Sequence, residues 1–197
     1  YHDAPRAYGE ADRLLASAEH VWITVAAVAL AAVALPQAAQ AVLAVGQTAP
    51  GFELQDLDGK TVSLAAFRGK TVVLEWINPN CPVSRDYAER KVMSTTAAAH
   101  PAVVWLAINS TNRTHGDFVA PAAHKAYNQK NGIAYPVLYD SAGDTGRAYD
   151  AKTTPHMFVI DPAGTIVYAG AIDDKRSARE SDRKIANNYV RAALTES

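Results

Sequence analysis

Cysteine is the scarcest chemically reactive residue in this chain of 197 residues, and Cys81 is its only copy. A single cysteine excludes an internal disulfide and any zinc site made of several thiolates. The net charge of −1 gives no reason to expect a nucleic-acid partner. Methionine is also rare, with only Met93 and Met157. Because the first residue is Tyr1, we read the chain as a fragment or an over-extended reading frame, whose first twenty residues need not be native.

Cys81 follows an apolar run and a turn. The run Thr71–Ile77 has the pattern of a strand buried on both faces, and Asn78-Pro79-Asn80 ends it. Pro82 suits the first position of a helix, and Asn80 is its predicted N-cap. A thiol there meets the positive end of the helix dipole and free backbone N–H groups, which both favour the thiolate. This context favours a reactive thiol over the alternative, a buried cysteine that packs as a small hydrophobic residue.

The first 41 residues have the layout of an export signal. A polar lead, Tyr1–His20, precedes the apolar run Val21–Leu35 and the small-residue site Ala39-Gln40-Ala41. The run is shorter than the ~20 residues of a membrane span. We expect residues 1–41 to be an N-terminal extension with a signal peptide, cleaved after Ala41. The alternatives are an uncleaved membrane anchor and a buried helix. Cleavage would leave residues 42–197 in the periplasm or outside the cell, with no stable membrane insertion.

Strand and helix patterns alternate from Val45 onward. The predicted elements are a hairpin at residues 51–55 and 61–64, a strand at 71–77, a helix from Pro82 to about Ala99, a strand at 103–108, a helix at 122–130, a strand at 135–139, a hairpin at 157–161 and 165–169, and a last helix at 182–194 with the apolar stripe Ile185, Tyr189 and Ala193. They predict an α/β domain over residues 42–197. Its central mixed β-sheet is flanked by helices on both faces and begins with an N-terminal β-hairpin.

Five segments in this order resemble a known family. They are Ala49–Leu54, Gly59–Leu64, Phe67–Lys70, the Cys81 segment and Thr154–Asp161. Together they resemble a thioredoxin-like redoxin of the alkyl hydroperoxide reductase and thiol-specific antioxidant family, which includes peroxiredoxin-like proteins. The similarity extends from about Gly46 to Leu194. It implies a thioredoxin-like fold and an oxidoreductase that acts on thiols, disulfides or peroxides.

The resemblance also assigns four catalytic residues. Cys81 matches the reactive cysteine that begins a helix, and Glu75 matches a buried acid that can relay a proton to the thiol or its partner sulfur. Pro155 matches the proline of the loop facing the cysteine, which is cis in thioredoxins. Thr154 would offer its backbone to an extended substrate peptide. For Glu75 the alternatives are an ion pair and a position at the sheet edge, because an unpaired charge in an apolar strand is costly.

Three positions depart from the family's patterns. Ser84 occupies the place of the resolving cysteine in C-x-x-C and cannot close a disulfide. Leu74 and Asn78 replace the Pro and the Thr or Ser that position a peroxide in peroxiredoxins. Some relatives carry another cysteine in a tail after the last helix, so a resolving thiol could lie beyond the end of this chain.

Arginine and histidine side chains offer few further candidates. Peroxiredoxins usually carry an arginine where this chain has Thr154-Pro155, and Arg85 and Arg147 are either substitutes or surface cations. His156 could approach the thiol or be structural. His115, His124 and His156 lack the spacing of a metal site. We expect neither a metal nor a cofactor.

Three functions are compatible with these features. The first is an exported redoxin whose single reactive cysteine performs thiol–disulfide exchange with protein or small-molecule thiols and disulfides. The second is a one-cysteine thiol peroxidase that reduces hydroperoxides and is recycled by an external thiol. The third is a non-catalytic binding module that keeps the thioredoxin fold. The sequence does not predict the oligomeric state.

Overall fold

The computed structural model describes residues 43–175 and 185–196. The predicted extension and signal peptide of residues 1–41 lie outside these residues, so they and the domain boundary stay predictions. Within the described ranges, no helix is both long enough and apolar enough to cross a membrane.

In the described part of the chain, seven strands form one mixed sheet. They are β1 (Glu53–Asp56), β2 (Thr61–Ser63), β3 (Val72–Trp76), β4 (Val104–Asn109), β5 (Val137–Tyr139), β6 (His156–Ile160) and β7 (Ile166–Gly170). Their order across the sheet is β2-β1-β5-β4-β3-β6-β7. Strands β3, β4 and β5 are parallel, and the remaining pairs are antiparallel. The predicted mixed sheet and its N-terminal hairpin are therefore confirmed.

The described helices are α1 (Pro82–Glu89), α2 (Val92–Ala99), α3 (Pro121–Asn131), α4 (Asp144–Ala148) and α5 (Tyr189–Glu196), with a 3-10 turn at Leu64–Phe67. The single helix predicted from Pro82 to Ala99 is wrong. Lys91 has a left-handed backbone (φ 57°), which ends α1 and starts α2 in a new direction. Helix α3 ends at Gly132, whose φ of 69° is the left-handed conformation that favours glycine after a helix.

The last helix begins later than predicted, and its buried face differs. Ile185 precedes α5 and is 68% exposed, and Tyr189 is 40% exposed. The predicted stripe is therefore wrong at Ile185 and Tyr189 and right at Ala193. The Tyr189 N–H bonds to the Ile172 carbonyl at the start of the helix. This contact fixes the rotation of α5 so that Val190 is fully buried, with Ala193 packed against the same core. The earlier part of the predicted helix lies outside the described residues.

Strand β3 lies between β4 and β6, and its side chains alternate between two cores. Leu74 and Trp76 face a core that includes Phe158 and Tyr149. Val73 and the following Ile77 face the opposite side, where residues of α1, α2, α3 and α5 pack. Burial of one such large apolar side chain contributes roughly 1.5–3 kcal/mol. Glu75 is on the helix-covered face of Val73, so the sheet's alternation places an acid beneath α1 and α3.

The strand register brings two distant segments to one end of β3. Trp76 pairs with His156 in the antiparallel ladder between β3 and β6, so Thr154 and Pro155 lie just beyond the end of β3. The chain that leaves β3 turns at Asn78, whose carbonyl accepts a hydrogen bond from the Cys81 N–H at 3.0 Å. Cys81 and the loop before β6 therefore meet at the same end of the sheet.

Candidate functional site

Cys81 is itself the N-cap of α1, so the prediction of Asn80 as N-cap is wrong. The Asn80 N–H donates to Oδ1 of Asn78 at 2.8 Å, which holds Asn80 in the turn before the helix. Pro82 occupies the first helical position, as predicted. The Cys81 side chain forms no capping hydrogen bond with the helix amides. The free thiol is half-buried at the start of α1.

The sulfur of Cys81 faces the loop that precedes β6. Its Sγ lies 3.1 Å from the carbonyl oxygen of Thr154, and the thiol donates to that oxygen. The peptide bond between Thr154 and Pro155 is cis. The structure thus brings together three of the four residues that the resemblance assigned to the site, although Cys81 and Thr154 are far apart in sequence. Their catalytic roles stay a prediction.

Glu75, the fourth residue, is buried in the central strand with 5% of its surface exposed. Neither alternative for it fits, because β3 is an interior strand and no ion pair of Glu75 occurs among residues 43–175 and 185–196. The hydroxyl of Tyr135 donates to Glu75 Oε2 at 2.6 Å. Burial raises the pKa of Glu75 to about 7, although the Tyr135 hydrogen bond opposes the rise. Glu75 can therefore gain or lose a proton near neutral pH, as a proton relay requires.

Two tyrosines beside Glu75 were not singled out from the sequence. Tyr135 precedes β5, and Tyr127 lies on α3 with its hydroxyl buried. Burial, followed by the charges of Glu75 and Glu89, raises the pKa of Tyr127 to about 12, and the Cys81 charge acts in the same direction. No local pattern marks these tyrosines, because Tyr135 contacts Glu75 from a distant segment and Tyr127 lies on α3. Only the fold reveals that they belong to this region.

Two positions that depart from the family pattern form hydrogen bonds in the turn around Cys81. Ser84 is buried, and its Oγ accepts a hydrogen bond from the Asn78 N–H at 3.4 Å. The Asn78 side chain donates to Oγ1 of Thr111 at 3.0 Å. The turn before α1 is therefore tied both to the first turn of the helix and to the loop after β4. Ser84 therefore stabilises the turn, whereas a resolving cysteine at the same position would form a disulfide with Cys81.

Among the described residues, the other candidates form no hydrogen bond with the Cys81 sulfur, which bonds to Thr154. Arg147 is a surface cation that pairs with Asp144 on α4, and Arg85 is exposed on α1. The His156 ring packs on Phe158 with 4.6 Å between centroids. Burial lowers the pKa of His156, so this ring is neutral at neutral pH. In the described ranges, no group of three or more His, Cys, Asp or Glu side chains could hold a metal ion.

Comparison with known sequences gives the family. The model of the AhpC/TSA family matches residues 45–169, which is more than half of the chain. The chain belongs to the AhpC/TSA family. This match includes Glu75, Cys81, Thr154 and Pro155, and it confirms the family resemblance that the sequence motifs indicated.

The relatives of this AhpC/TSA chain include thiol-disulfide oxidoreductases and peroxiredoxins. The chain is 27% identical over 123 residues to thiol-disulfide oxidoreductase ResA of Bacillus subtilis (strain 168), covering 62% of this chain and 64% of ResA. This match spans just under two thirds of the length of ResA. The chain is also 33% identical over 132 residues to chloroplastic peroxiredoxin Q of Populus jackii, covering 61% of this chain and 57% of the relative. Both names denote oxidoreductases, the enzyme class that the sequence resemblance implied.

Solved structures support the fold of this AhpC/TSA chain. The thioredoxin domain of a thiol-disulfide oxidoreductase from Bacteroides vulgatus superposes with a TM-score of 0.52 and 23% identity, covering 74% of this chain and 99% of that domain. At this identity the likeness concerns the fold alone. It confirms the thioredoxin-like fold that the sequence predicted.

Proposed function

We propose that this protein is an exported thiol–disulfide oxidoreductase in which Cys81 is the nucleophile. The observation that carries the proposal is the half-buried thiol at the start of α1, 3.1 Å from the Thr154 carbonyl oxygen beside Pro155. Buried Glu75 supplies a carboxyl group that titrates near neutral pH. The similarity to ResA supports the same reaction class.

The proposed reaction has two steps. The Cys81 thiolate attacks one sulfur of a substrate disulfide, a new S–S bond forms, and the second substrate sulfur leaves as a thiolate that takes a proton. In the second step two external thiolates act in turn: the first attacks the Cys81 sulfur of the mixed disulfide and displaces the remaining substrate thiolate, and the second attacks the bound external sulfur and releases the Cys81 thiolate, since Ser84 cannot do so. The substrate disulfide is reduced by two electrons, and two external thiols are oxidised to a disulfide. Glu75 accepts and returns the proton, and the backbone at Thr154 pairs with an extended peptide substrate.

The similarity to peroxiredoxin Q supports a second candidate, a one-cysteine thiol peroxidase. The Cys81 thiolate would attack a hydroperoxide and become a sulfenic acid, with water or an alcohol as the leaving product. Two external thiols would then reduce it. We rank this function second because Asn78 uses its side chain on Thr111 and offers no hydroxyl to a peroxide.

One experiment separates these functions. The wild-type protein and Cys81→Ser are incubated with oxidised glutathione and, separately, with hydrogen peroxide, and both are then supplied with dithiothreitol as the reductant. We expect a glutathione adduct at Cys81 by mass spectrometry, followed by turnover, in the wild type only. Peroxide turnover faster than disulfide turnover would support the peroxidase instead. An unmodified Cys81 under both conditions would reject both enzymes and support the binding module.

The proposed export rests on the sequence of residues 1–41 alone. We infer that the mature protein begins at Val42 and lies in the periplasm or outside the cell. N-terminal peptide mapping of the protein from its native cells tests this inference. A mature chain that retains the run Val21–Leu35 would favour the membrane anchor.

A further inference from the structure

The Tyr135 hydroxyl is a hydrogen-bond donor aimed at the carboxyl group of Glu75. Its oxygen lies 2.6 Å from Glu75 Oε2. This separation falls in the range of about 2.5–2.7 Å that is typical of a hydroxyl donating to an ionised oxygen, and it is shorter than the ~2.7–2.8 Å common between neutral groups. The geometry therefore suits the ionised form of Glu75, which is the form that can accept a proton.

The backbone and the ring of Tyr135 are fixed by their neighbours. Pro136 follows Tyr135 and restricts its backbone to extended conformations. The Pro136 carbonyl accepts a hydrogen bond from the Ala107 N–H of β4 at 2.9 Å, which ties this segment to the sheet. The ring packs on Trp105, with 6.0 Å between centroids, and contacts both cores on the helix-covered face. The hydroxyl is therefore in place before Glu75 becomes charged, as a preorganised donor must be.

A second buried pair of a tyrosine and a carboxylate shows what is particular to Glu75. The Tyr87 hydroxyl donates to Asp173 Oδ1 at 2.8 Å, and the same oxygen also accepts from the Lys175 N–H at 2.9 Å. Among residues 43–175 and 185–196, Glu75 accepts a side-chain hydrogen bond from Tyr135 alone, and no cation pairs with it. A phenylalanine would fill the space of the Tyr135 ring, so the hydroxyl adds only its bond to this carboxylate.

Two tyrosines interact directly with the charge of Glu75, Tyr135 before β5 and Tyr127 on α3. The groups that interact with Tyr127 in turn are Cys81, Arg85 and Glu89 on α1 and His124 on α3. The Tyr127 hydroxyl forms no hydrogen bond within the described ranges, so Tyr135 is the tyrosine that donates to the carboxylate. Burial, and next the Glu75 charge, hold the pKa of Tyr135 well above its usual range. Its hydroxyl therefore stays protonated and remains a donor at neutral pH.

We propose that Tyr135 is a positioning residue whose hydroxyl holds ionised Glu75 in place as the proton acceptor of thiol–disulfide exchange at Cys81. This inference rests on the proposed function of Cys81 and Glu75. Glu75 takes up the proton that the Cys81 thiol loses and returns it to the leaving substrate thiolate. Tyr135 keeps its own proton throughout. It passes neither protons nor electrons and acts only through Glu75.

The first measurement follows Glu75 itself. Its carboxyl carbon is titrated by NMR between about pH 5 and 10 in the wild type and in Tyr135→Phe, and the spectrum of Glu75→Gln assigns the signal. We expect a midpoint near pH 7 in the wild type. In Tyr135→Phe the midpoint should rise by at least about one pKa unit, because the charged form loses its donor. A midpoint that stays at the wild-type value or falls would overturn the role of Tyr135.

The second measurement tests whether Tyr135 affects Cys81 through Glu75. The rate of mixed-disulfide formation with oxidised glutathione is measured over the same pH range in the wild type, Tyr135→Phe, Glu75→Gln and the double variant. In Tyr135→Phe the inflection should move up with the Glu75 midpoint. The rate at neutral pH should fall about fivefold, since a rise of one pKa unit leaves about a tenth of Glu75 ionised instead of half. The double variant should react as Glu75→Gln does, and a slower double variant would contradict action through Glu75.

Tyr149→Phe is the matched control. It removes a hydroxyl that donates to the Pro50 carbonyl at 2.7 Å, and its ring lies in the core on the face of the sheet opposite to Glu75. Both tyrosine variants should lower the melting temperature, but Tyr149→Phe should leave the Glu75 midpoint and the pH profile of Cys81 unchanged. An equal shift of the midpoint in Tyr149→Phe would assign the effect to lost stability and overturn the proposal. If wild-type Cys81 forms no adduct, the proposed function fails, while the Glu75 titration still decides whether Tyr135 holds the carboxylate.

Discussion

Glu75 is one acidic side chain in an otherwise apolar strand, and its surroundings set its chemistry. It has 5% of its surface exposed and accepts one hydrogen bond, from Tyr135 at 2.6 Å. Because a charged carboxylate loses its hydration there, the neutral acid is favoured and the pKa rises to about 7. The residue therefore lowers the stability of the folded protein wherever it must be ionised.

We expect Glu75→Gln to stabilise the protein at high pH. Between about pH 4.5 and 7 the folded state keeps the Glu75 proton while the unfolded state loses it, so the contribution of Glu75 to the free energy of unfolding falls as the pH rises. Glutamine stays neutral and can still accept from Tyr135. The variant should match the wild type near pH 4.5 and exceed it above pH 7 by about 3 kcal/mol, the value of about 2.5 pKa units.

Urea unfolding at several pH values measures this difference. The same Glu75→Gln variant should form the mixed disulfide at Cys81 more slowly, so stability and reactivity should change in opposite directions. A constant stability difference between variant and wild type across this pH range would contradict a raised pKa of Glu75.

At the scale of the element, the start of α1 sets which groups can react with Cys81. Cys81 is the N-cap and Ser84 lies in the first turn, on the same side of the helix because residues three apart are neighbours. Ser84 is buried, whereas Val83 is 53% exposed. A thiol at position 84 would therefore lie next to the Cys81 sulfur, whereas a thiol at position 83 would point away from Cys81.

We therefore expect Ser84→Cys to convert the site into a dithiol. Mild oxidation should give a disulfide between positions 81 and 84 within one chain, and the variant should release a glutathione adduct from Cys81 without an external thiol. Val83→Cys is the matched control, because position 83 is exposed and its side chain points away from Cys81, which prevents a disulfide of normal geometry. Free-thiol counting and non-reducing mass spectrometry measure both variants. Two free thiols in oxidised Ser84→Cys would contradict the prediction.

The sequence predicted the elements well where their signals are local. The apolar run before Cys81 predicted β3, and the turn around Gly164 predicted the hairpin of β6 and β7. The sequence did not predict the break between α1 and α2. The break lies at Lys91, whose backbone is left-handed, and a lysine does not indicate this conformation as a glycine would. The buried face of α5 was also missed, because its rotation depends on the contact between Tyr189 and Ile172.

At the scale of the whole molecule, two buried titratable groups change the free energy of unfolding with pH in opposite directions. His124 on α3 is fully buried, and its Nδ1 lies 3.3 Å from the Tyr139 hydroxyl. Burial lowers the pKa of His124 to about 4. Between about pH 4 and 6.5 the unfolded state binds this proton and the folded state does not, so the free energy of unfolding rises with pH. Glu75 produces the opposite slope over nearly the same range.

We expect these two contributions to cancel in the wild type between about pH 4.5 and 6.5. In Glu75→Gln the His124 contribution remains, so stability should fall on acidification by up to about 3 kcal/mol. In His124→Gln the Glu75 contribution remains, so stability should rise on acidification. The double variant should again show little dependence on pH. Parallel curves for all four proteins in urea unfolding would show that the two groups do not titrate as described.

The sequence by itself determined the mixed sheet and the helix start at Cys81, because apolar runs, turn residues and a proline at the first helical position act locally. By the resemblance of its motifs it also indicated the thioredoxin-like fold and the family. It also named Glu75, Thr154 and Pro155, although through resemblance. Only the tertiary structure decided what surrounds them. The strand register brings the Thr154 carbonyl to the sulfur, and the segment before β5 brings the Tyr135 hydroxyl to Glu75. Such contacts join residues distant in the chain, so no local pattern encodes them.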